Sequence, residues 1–254
     1  MSKKAVFLDI DGTLLPRGAE GPVAKDAQAL RRAVAAGHII LINTGRSFGF
    51  VPPSLKQADY ISGILAGCGA HLILNGETIF CRRVDRSDLR TACRLMLSTP
   101  GRHCYFECEN GMLEIGAFPG RKSLVKVTHE DDFETVFKNI NVTKLTVTSP
   151  ITEEDRAVLE PMLDLVVWRD WYEAVPKGCN KGSGLLTACE MLGIAPEDSI
   201  AIGDGVNDLD MLRCAGTAVA MGNAEPEVKE AADMVTGICG EGGVADALEK
   251  LLGI

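Results

Sequence analysis

A short apolar run, Ala5-Val6-Phe7-Leu8, ends in Asp9-Ile10-Asp11-Gly12-Thr13, and this junction restricts the fold more than any other stretch. Residues two apart in an extended chain point to the same side, so Asp9 and Asp11 converge on one small volume while Ile10 faces away. Gly12 lets the chain turn. A helix is predicted over residues 25–36, capped by Gly37, and a second strand with consecutive apolar residues over 38–43. Apolar strands alternating with helices form a parallel-sheet pattern, in which both sheet faces are covered.

The rhythm continues with an apolar run over 60–66 and a hairpin over 72–80 turning at Asn75-Gly76, a strong two-residue turn signal. From about residue 83 it changes. A helix over 87–98 is followed by two strands joined through Glu109-Asn110-Gly111, a helix over 130–139, a strand over 143–148, a helix over 152–161 and two strands within 164–175. After Gly178 the first rhythm returns: a helix over 182–192, strands over 199–203 and 217–221 with a helix near 208–214 between them, and helices from Pro226 and Gly243. The expected fold is therefore α/β. A Rossmann-like core with a parallel sheet, residues 1–82 and 178–254, is interrupted by an inserted α+β layer, residues 83–177.

Ligands of such sheets bind beyond the carboxyl ends of the strands. Asp9, Asp11, Thr44, Asp204 and Asp208 all follow predicted strands, so the fold brings them to one edge. The second acidic segment, Gly203-Asp204-Gly205-Val206-Asn207-Asp208, closes the apolar run Ile200-Ala201-Ile202. Asn207 or Asp208 also suits a helix cap. Paired with the first cluster, the acids call for a hard cation with oxygen ligands, and magnesium is the natural candidate. Like charges about 4 Å apart repel by roughly 4 kcal/mol at an effective dielectric near 20, so an anionic substrate also needs a fixed ammonium. Lys181, at a predicted helix start, offers one, although a lone lysine is most often a surface residue.

The formal net charge of −9 argues against broad binding to nucleic acid or to an anionic membrane, both of which depend on excess Lys and Arg. Asp9 interrupts the first apolar run too early for a signal peptide, and the apolar stretch over 61–74 is too short to span a bilayer. The expected location is cytoplasmic. Nine cysteines without a CxxC pair read as reduced, buried thiols, and the four histidines lack the spacing of a zinc site.

These residues resemble the haloacid dehalogenase (HAD) superfamily, specifically its Cof-type phosphatases with an inserted C2B cap (subfamily IIB). Asp9–Leu15 matches the first family motif, Ile42-Asn43-Thr44-Gly45-Arg46 the second, Asn180-Lys181-Gly182 the third and Gly203–Asp208 the fourth. The resemblance covers nearly the whole chain and identifies the 83–177 layer with the cap. It implies that Asp9 is a nucleophile forming an aspartyl-phosphate, and that Asp11 is general acid, then base. Thr44 and Lys181 complete the implied catalytic set. Gly12, Thr44, Gly45, Arg46, Lys181 and Asn207 would contact phosphate or substrate, with a structural salt bridge equally open to Arg46.

By the same resemblance Mg2+ is held by Asp9, the Asp11 backbone carbonyl and Asp204, with Asp208 a ligand or an orienting acid. Thr13 would fix the turn. Where many relatives have Asn-Gly-Ala, this chain has Gly67-Cys68-Gly69-Ala70, which removes an amide contact. Arg121, Lys122 and Lys126 are basic residues of the expected cap. The implied activity is magnesium-dependent hydrolysis of a small phosphorylated metabolite, a sugar phosphate foremost, by a monomer or small homo-oligomer. A phosphomannomutase-like phosphomutase and a non-catalytic phosphometabolite sensor are the alternatives. A nucleotide-binding dehydrogenase is disfavoured because Gly67-Cys68-Gly69 lacks the third glycine of the dinucleotide fingerprint.

Overall fold

The computed structural model describes residues 3–99, 102–109, 111–115 and 125–254. In chain order, the first elements are β1 (Ala5–Leu8), α1 (Ala24–Ala35), β2 (Ile39–Asn43), α2 (Pro53–Lys56), β3 (Gly63–Ala66), β4 (His71–Leu74) and β5 (Glu77–Cys81). Then come α3 (Arg86–Ser98), β6 (Cys104–Cys108), β7 (Gly111–Ile115), β8 (Val125–Val127), α4 (Asp132–Val136), β9 (Val142–Val147), α5 (Glu153–Leu159), β10 (Leu163–Val167) and β11 (Tyr172–Pro176). The chain closes with α6 (Lys181–Leu192), β12 (Ser199–Gly203), α7 (Leu209–Cys214), β13 (Thr217–Ala220), α8 (Pro226–Ala231), β14 (Met234–Val235) and α9 (Gly243–Leu252). No helix among the described residues is long and apolar enough to cross a membrane.

Two compact units result. One comprises Met1–Arg46, Val51–Phe80 and Asn180–Ile254; the other comprises Ser47–Phe50 and Cys81–Cys179. The first is built on an eight-stranded sheet in the order β14-β13-β12-β1-β2-β3-β4-β5. Strand β1 is completely buried between β12 and β2, and both neighbours run parallel to it. The parallel pairing extends to β13 and β14 on one side and to β3 on the other, whereas β4 is antiparallel to β3. Asn75 and Gly76, with φ of 51° and 81°, turn β4 into β5 in the left-handed conformations that a two-residue hairpin requires. On helix α1, the buried Asp26 accepts the Ala245 N–H at 2.8 Å and so caps the start of α9 from another element.

The second unit carries a six-stranded sheet in the order β10-β11-β9-β6-β7-β8. Its strands pair antiparallel except β7 with β8. Leu89, Phe106, Phe133, Phe137 and Leu145 belong to one buried cluster that joins its helices to its sheet. Several elements differ from expectation, among them the four-residue α2, too short for a helical period to announce. The helix expected over 130–139 is shortened to α4: the Asp132 carboxylate binds the Thr128 and His129 N–H groups before it, and the chain turns after Phe137, where the Ile140 N–H reaches the Phe137 carbonyl. Strands β8 and β14 have three and two residues, too few for an alternating pattern to register in sequence.

Helix α6 is seated by bare backbone. A Cβ on Gly184 would lie 2.6 Å from the Gly69 Cα, and one on Gly69, where φ is +80°, would lie 2.4 Å from the Asn180 carbonyl oxygen. The neighbouring Cys68 also holds a left-handed φ of 56°, a conformation that costs a side chain other than Gly or Asn. In an open helix, Gly→Ala stabilises by about 1 kcal/mol. Here the close approach reverses the sign: overpacking of about 1–3 kcal/mol outweighs that gain, so Gly184→Ala is expected to destabilise the protein by up to about 2 kcal/mol net. A urea midpoint equal to or above that of the wild type would show that the two backbones can separate without cost.

Candidate active site

The loop after β1 is held on every side. The Asp9 N–H donates to the Ile202 carbonyl at 3.1 Å, and the turn closes through Leu15 N–H to Ile10 O at 2.7 Å and Gly12 N–H to Leu15 O at 3.0 Å. Gly12 has a φ of +84°, and a Cβ there would come 2.2 Å from Asp204 Oδ2, so glycine is required twice over. The Thr13 hydroxyl donates to Asp204 Oδ1 at 2.8 Å. It thereby fixes a carboxylate as well as the turn. Asp9 and Ile10 are buried, but Asp11 is exposed.

Helix α6 begins with a reciprocal cap. The Ser183 N–H donates to Asn180 Oδ1 at 2.7 Å, and the Asn180 N–H donates to Ser183 Oγ at 3.0 Å. The next residue, Lys181, is 1% exposed, far from the surface position usual for lysine. Its Nζ lies 2.7 Å from Asp9 Oδ1 and 2.5 Å from Asp208 Oδ1. Burial works to lower its pKa, but the Asp208 and Asp9 carboxylates prevail and hold it above the ordinary lysine value.

The other oxygen of Asp208 accepts the Asp204 and Gly205 N–H groups at 2.9 and 3.0 Å. A Cβ on Gly203 would lie 2.5 Å from the Asp208 Cγ, so this inward carboxylate needs a glycine at the strand end. Asp9, Asp204 and Asp208 each place a carboxylate oxygen within 4.8 Å of the others. At that distance each like-charged pair repels by about 3 kcal/mol at an effective dielectric near 20. Burial pushes Asp9 up to about 7 and Asp204 up to about 6, with Asp208 adding to both shifts.

Three carboxylates against one ammonium leave negative charge in excess, and the donors are all oxygen. That set fits a hard divalent cation rather than zinc, whose sites are built chiefly on histidine nitrogen and cysteine sulfur. Asp9 and Asp204 are the side chains best suited to hold it, since both Asp208 oxygens are already bonded.

The remaining expected residues divide. Thr44 is buried, and its hydroxyl oxygen accepts the Arg46 N–H at 3.1 Å. Its backbone is fixed by Thr44 N–H to Leu65 O at 2.9 Å and Cys68 N–H to Thr44 O at 3.1 Å. Gly45 follows at the same strand end, half-buried. Of the two positions open to Arg46, the side chain takes the ion pair: Nε is 2.8 Å from Asp11 Oδ2 and Nη2 is 2.5 Å from Asp11 Oδ1. The Asp11 carboxylate is not a member of the three-acid group. Asn207 is exposed, and Lys126 lies exposed on β8; Arg121 and Lys122 fall outside the described residues.

Two asparagines to which sequence reasoning gave no role help build the site. Asn43 Nδ2 donates to the Lys181 carbonyl at 2.9 Å. Asn223 Nδ2 donates to the Gly12 carbonyl at 2.8 Å, while its Oδ1 accepts the Cys239 N–H at 2.8 Å. Asn43 ends an otherwise apolar strand, a signal available in sequence. Asn223 lies in Gly222-Asn223-Ala224, which offers none beyond a turn.

The sequence pattern of the haloacid dehalogenase-like hydrolases matches residues 6–248. YkrA of Bacillus subtilis, named provisionally as a phosphatase, is 30% identical over 99% of this chain and 98% of its own. The phosphoglycolate phosphatase of Methanothermobacter thermautotrophicus is 26% identical over 98% of this chain and 99% of its own. Among solved structures, the HAD subclass IIB sugar phosphatase BT4131 superposes with a TM-score of 0.81 at 28% identity, covering 99% of both chains.

Removing one member of a buried ion cluster strands the charges left behind, at about 3–5 kcal/mol. Lys181→Met keeps the stem and deletes the ammonium, so the metal-free protein should lose about 3 kcal/mol or more in urea titrations. An unchanged midpoint would mean that the ammonium does not hold the carboxylates together.

Proposed function

Because the chain belongs to the haloacid dehalogenase-like hydrolases, we propose that it hydrolyses small phosphate monoesters, sugar phosphates foremost, with magnesium and through an aspartyl-phosphate. The observation that carries this reading is the buried Lys181 ammonium bridging Asp9 and Asp208 beside Asp204. Residues 1–82 and 178–254 are assigned as the catalytic core and 83–177 as an inserted cap. Relatives named for sugar phosphate and phosphoglycolate hydrolysis support the substrate class.

In the first half-reaction an Asp9 oxygen attacks phosphorus, the bond from phosphorus to the ester oxygen breaks, and the departing alkoxide takes a proton from Asp11. In the second, water attacks the same phosphorus while Asp11 removes its proton. The acyl-phosphate bond then breaks, releasing inorganic phosphate and restoring the Asp9 carboxylate. Lys181 offsets the repulsion between the Asp9 carboxylate and the phosphate dianion, and the Thr44 hydroxyl and Gly45 N–H bond the phosphoryl oxygens. Gly12 and Asn207 complete the phosphate contacts.

Magnesium, when bound by Asp9, the Asp11 carbonyl and Asp204, supplies positive charge to the phosphoryl oxygens. We assign Asp208 to orienting Lys181, because one of its oxygens is on the ammonium and the other is on two backbone N–H groups.

The test is phosphate release from hexose 6-phosphates, polyol phosphates and phosphoglycolate. Asp9→Asn should lower turnover by about a thousandfold or more while keeping the fold; activity near wild type would refute the nucleophile assignment. Chelation should abolish turnover and magnesium should restore it. Magnesium at about 100 times its Kd should also stabilise the wild type by roughly 2.7 kcal/mol, and Asp204→Asn by much less. An equal melting shift in both proteins would place the ion elsewhere.

A further inference from the structure

We propose that Arg46 is a positioning residue for Asp11, aiming the proton exchanged with the leaving group, and not a ligand of the substrate phosphate. This rests on the reading of Asp11 as acid and base given above. The Asp11 side chain is 52% exposed, on a loop whose backbone is fixed but whose carboxylate is not part of the three-acid cluster. An acid there must be held in direction to be useful, since a small misplacement of a reacting group costs rate steeply.

Arg46 is built for that task. Its N–H is bonded to the Thr44 hydroxyl oxygen at 3.1 Å, and its carbonyl accepts the Gly67 N–H at 2.8 Å, so its side chain starts from a backbone pinned on both sides. The guanidinium then meets both Asp11 oxygens, Nε to Oδ2 at 2.8 Å and Nη2 to Oδ1 at 2.5 Å. Two parallel bonds set the carboxylate plane as well as its distance, which a lysine ammonium cannot do. The counter-charges proposed above for the dianion lie elsewhere, on magnesium and on the buried Lys181, whose Nζ is 2.7 Å from Asp9 Oδ1.

A double-mutant cycle on kcat/KM tests this, with Arg46→Ala, Asp11→Asn, the double variant and Arg46→Lys. Two substrates are compared: glucose 6-phosphate, whose alkoxide needs a proton, and p-nitrophenyl phosphate, whose phenolate leaves without one. The ratio kcat/KM reports only steps through leaving-group departure, so the later base role does not intrude.

Arg46→Ala is expected to lose about tenfold or more beyond its loss on p-nitrophenyl phosphate when assayed on glucose 6-phosphate. In the Asp11→Asn background its removal should cost less than about threefold further. Arg46→Lys should recover only part of the loss. Equal losses on the two substrates, or additive losses in the cycle, alongside an inactive Asp9→Asn protein, would overturn this proposal alone. An Asp9→Asn protein with wild-type turnover would overturn it together with the reading on which it rests.

Discussion

A single ammonium set between two carboxylates holds the centre of this protein together. Lys181 Nζ lies within 2.7 Å of both Asp9 and Asp208, and all three side chains are nearly withdrawn from water. Each charge alone would be costly at that depth. Together they join three remote segments: the loop after β1, the first turn of α6 and the turn after β12. The pairing remains incomplete, since Asp204 adds a further carboxylate to the group. The resulting excess of negative charge suits the site to a divalent cation and gives the structure its chemical direction.

The sheet brings these groups into register. Strands β1, β2 and β12 are adjacent and parallel, so the residues following each emerge at one edge. Glycines then permit approach closer than any side chain would. Gly12 admits Asp204, Gly203 admits Asp208, and Gly69 with Gly184 lets the helix bearing Lys181 settle backbone against backbone. Hydrogen bonds from Thr13, Asn43 and Asn223 fix the remaining freedom. The chemistry thus depends on residues that carry no charge.

Asp11 is treated differently from its neighbours. Asp9 is buried and paired with a buried lysine, whereas Asp11, two residues on, is half exposed and gripped by a guanidinium. Environment separates two chemically identical side chains, and so do the roles proposed for them. A nucleophile requires a fixed position beside compensating charge; a proton carrier requires access to the leaving group and to water.

Periodicity and turn chemistry made much of the fold legible in the sequence. Apolar runs interrupted by helices marked the parallel strands, Asn75-Gly76 marked the hairpin, and acids following Leu8 and Gly203 marked the sheet edge where the carboxylates gather. Those signals are local, because strand and turn preferences act over a few residues. The short strands β8 and β14 escaped because two or three residues carry no period.

Other features were decided only by the tertiary structure. The sequence offered Lys181 as the ammonium of the site against the surface position usual for a lysine, and its burial follows from carboxylates remote along the chain, Asp9 in the first loop and Asp208 27 residues on. The choice of Asp11 by Arg46, and the bonds of Asn43 and Asn223 to backbone carbonyls, likewise belong to no local pattern. Sequence determined which groups were available and at which sheet edge they would stand. Packing decided which of them touch, because the energy of a charge or a polar group depends on partners and burial that only the folded chain supplies.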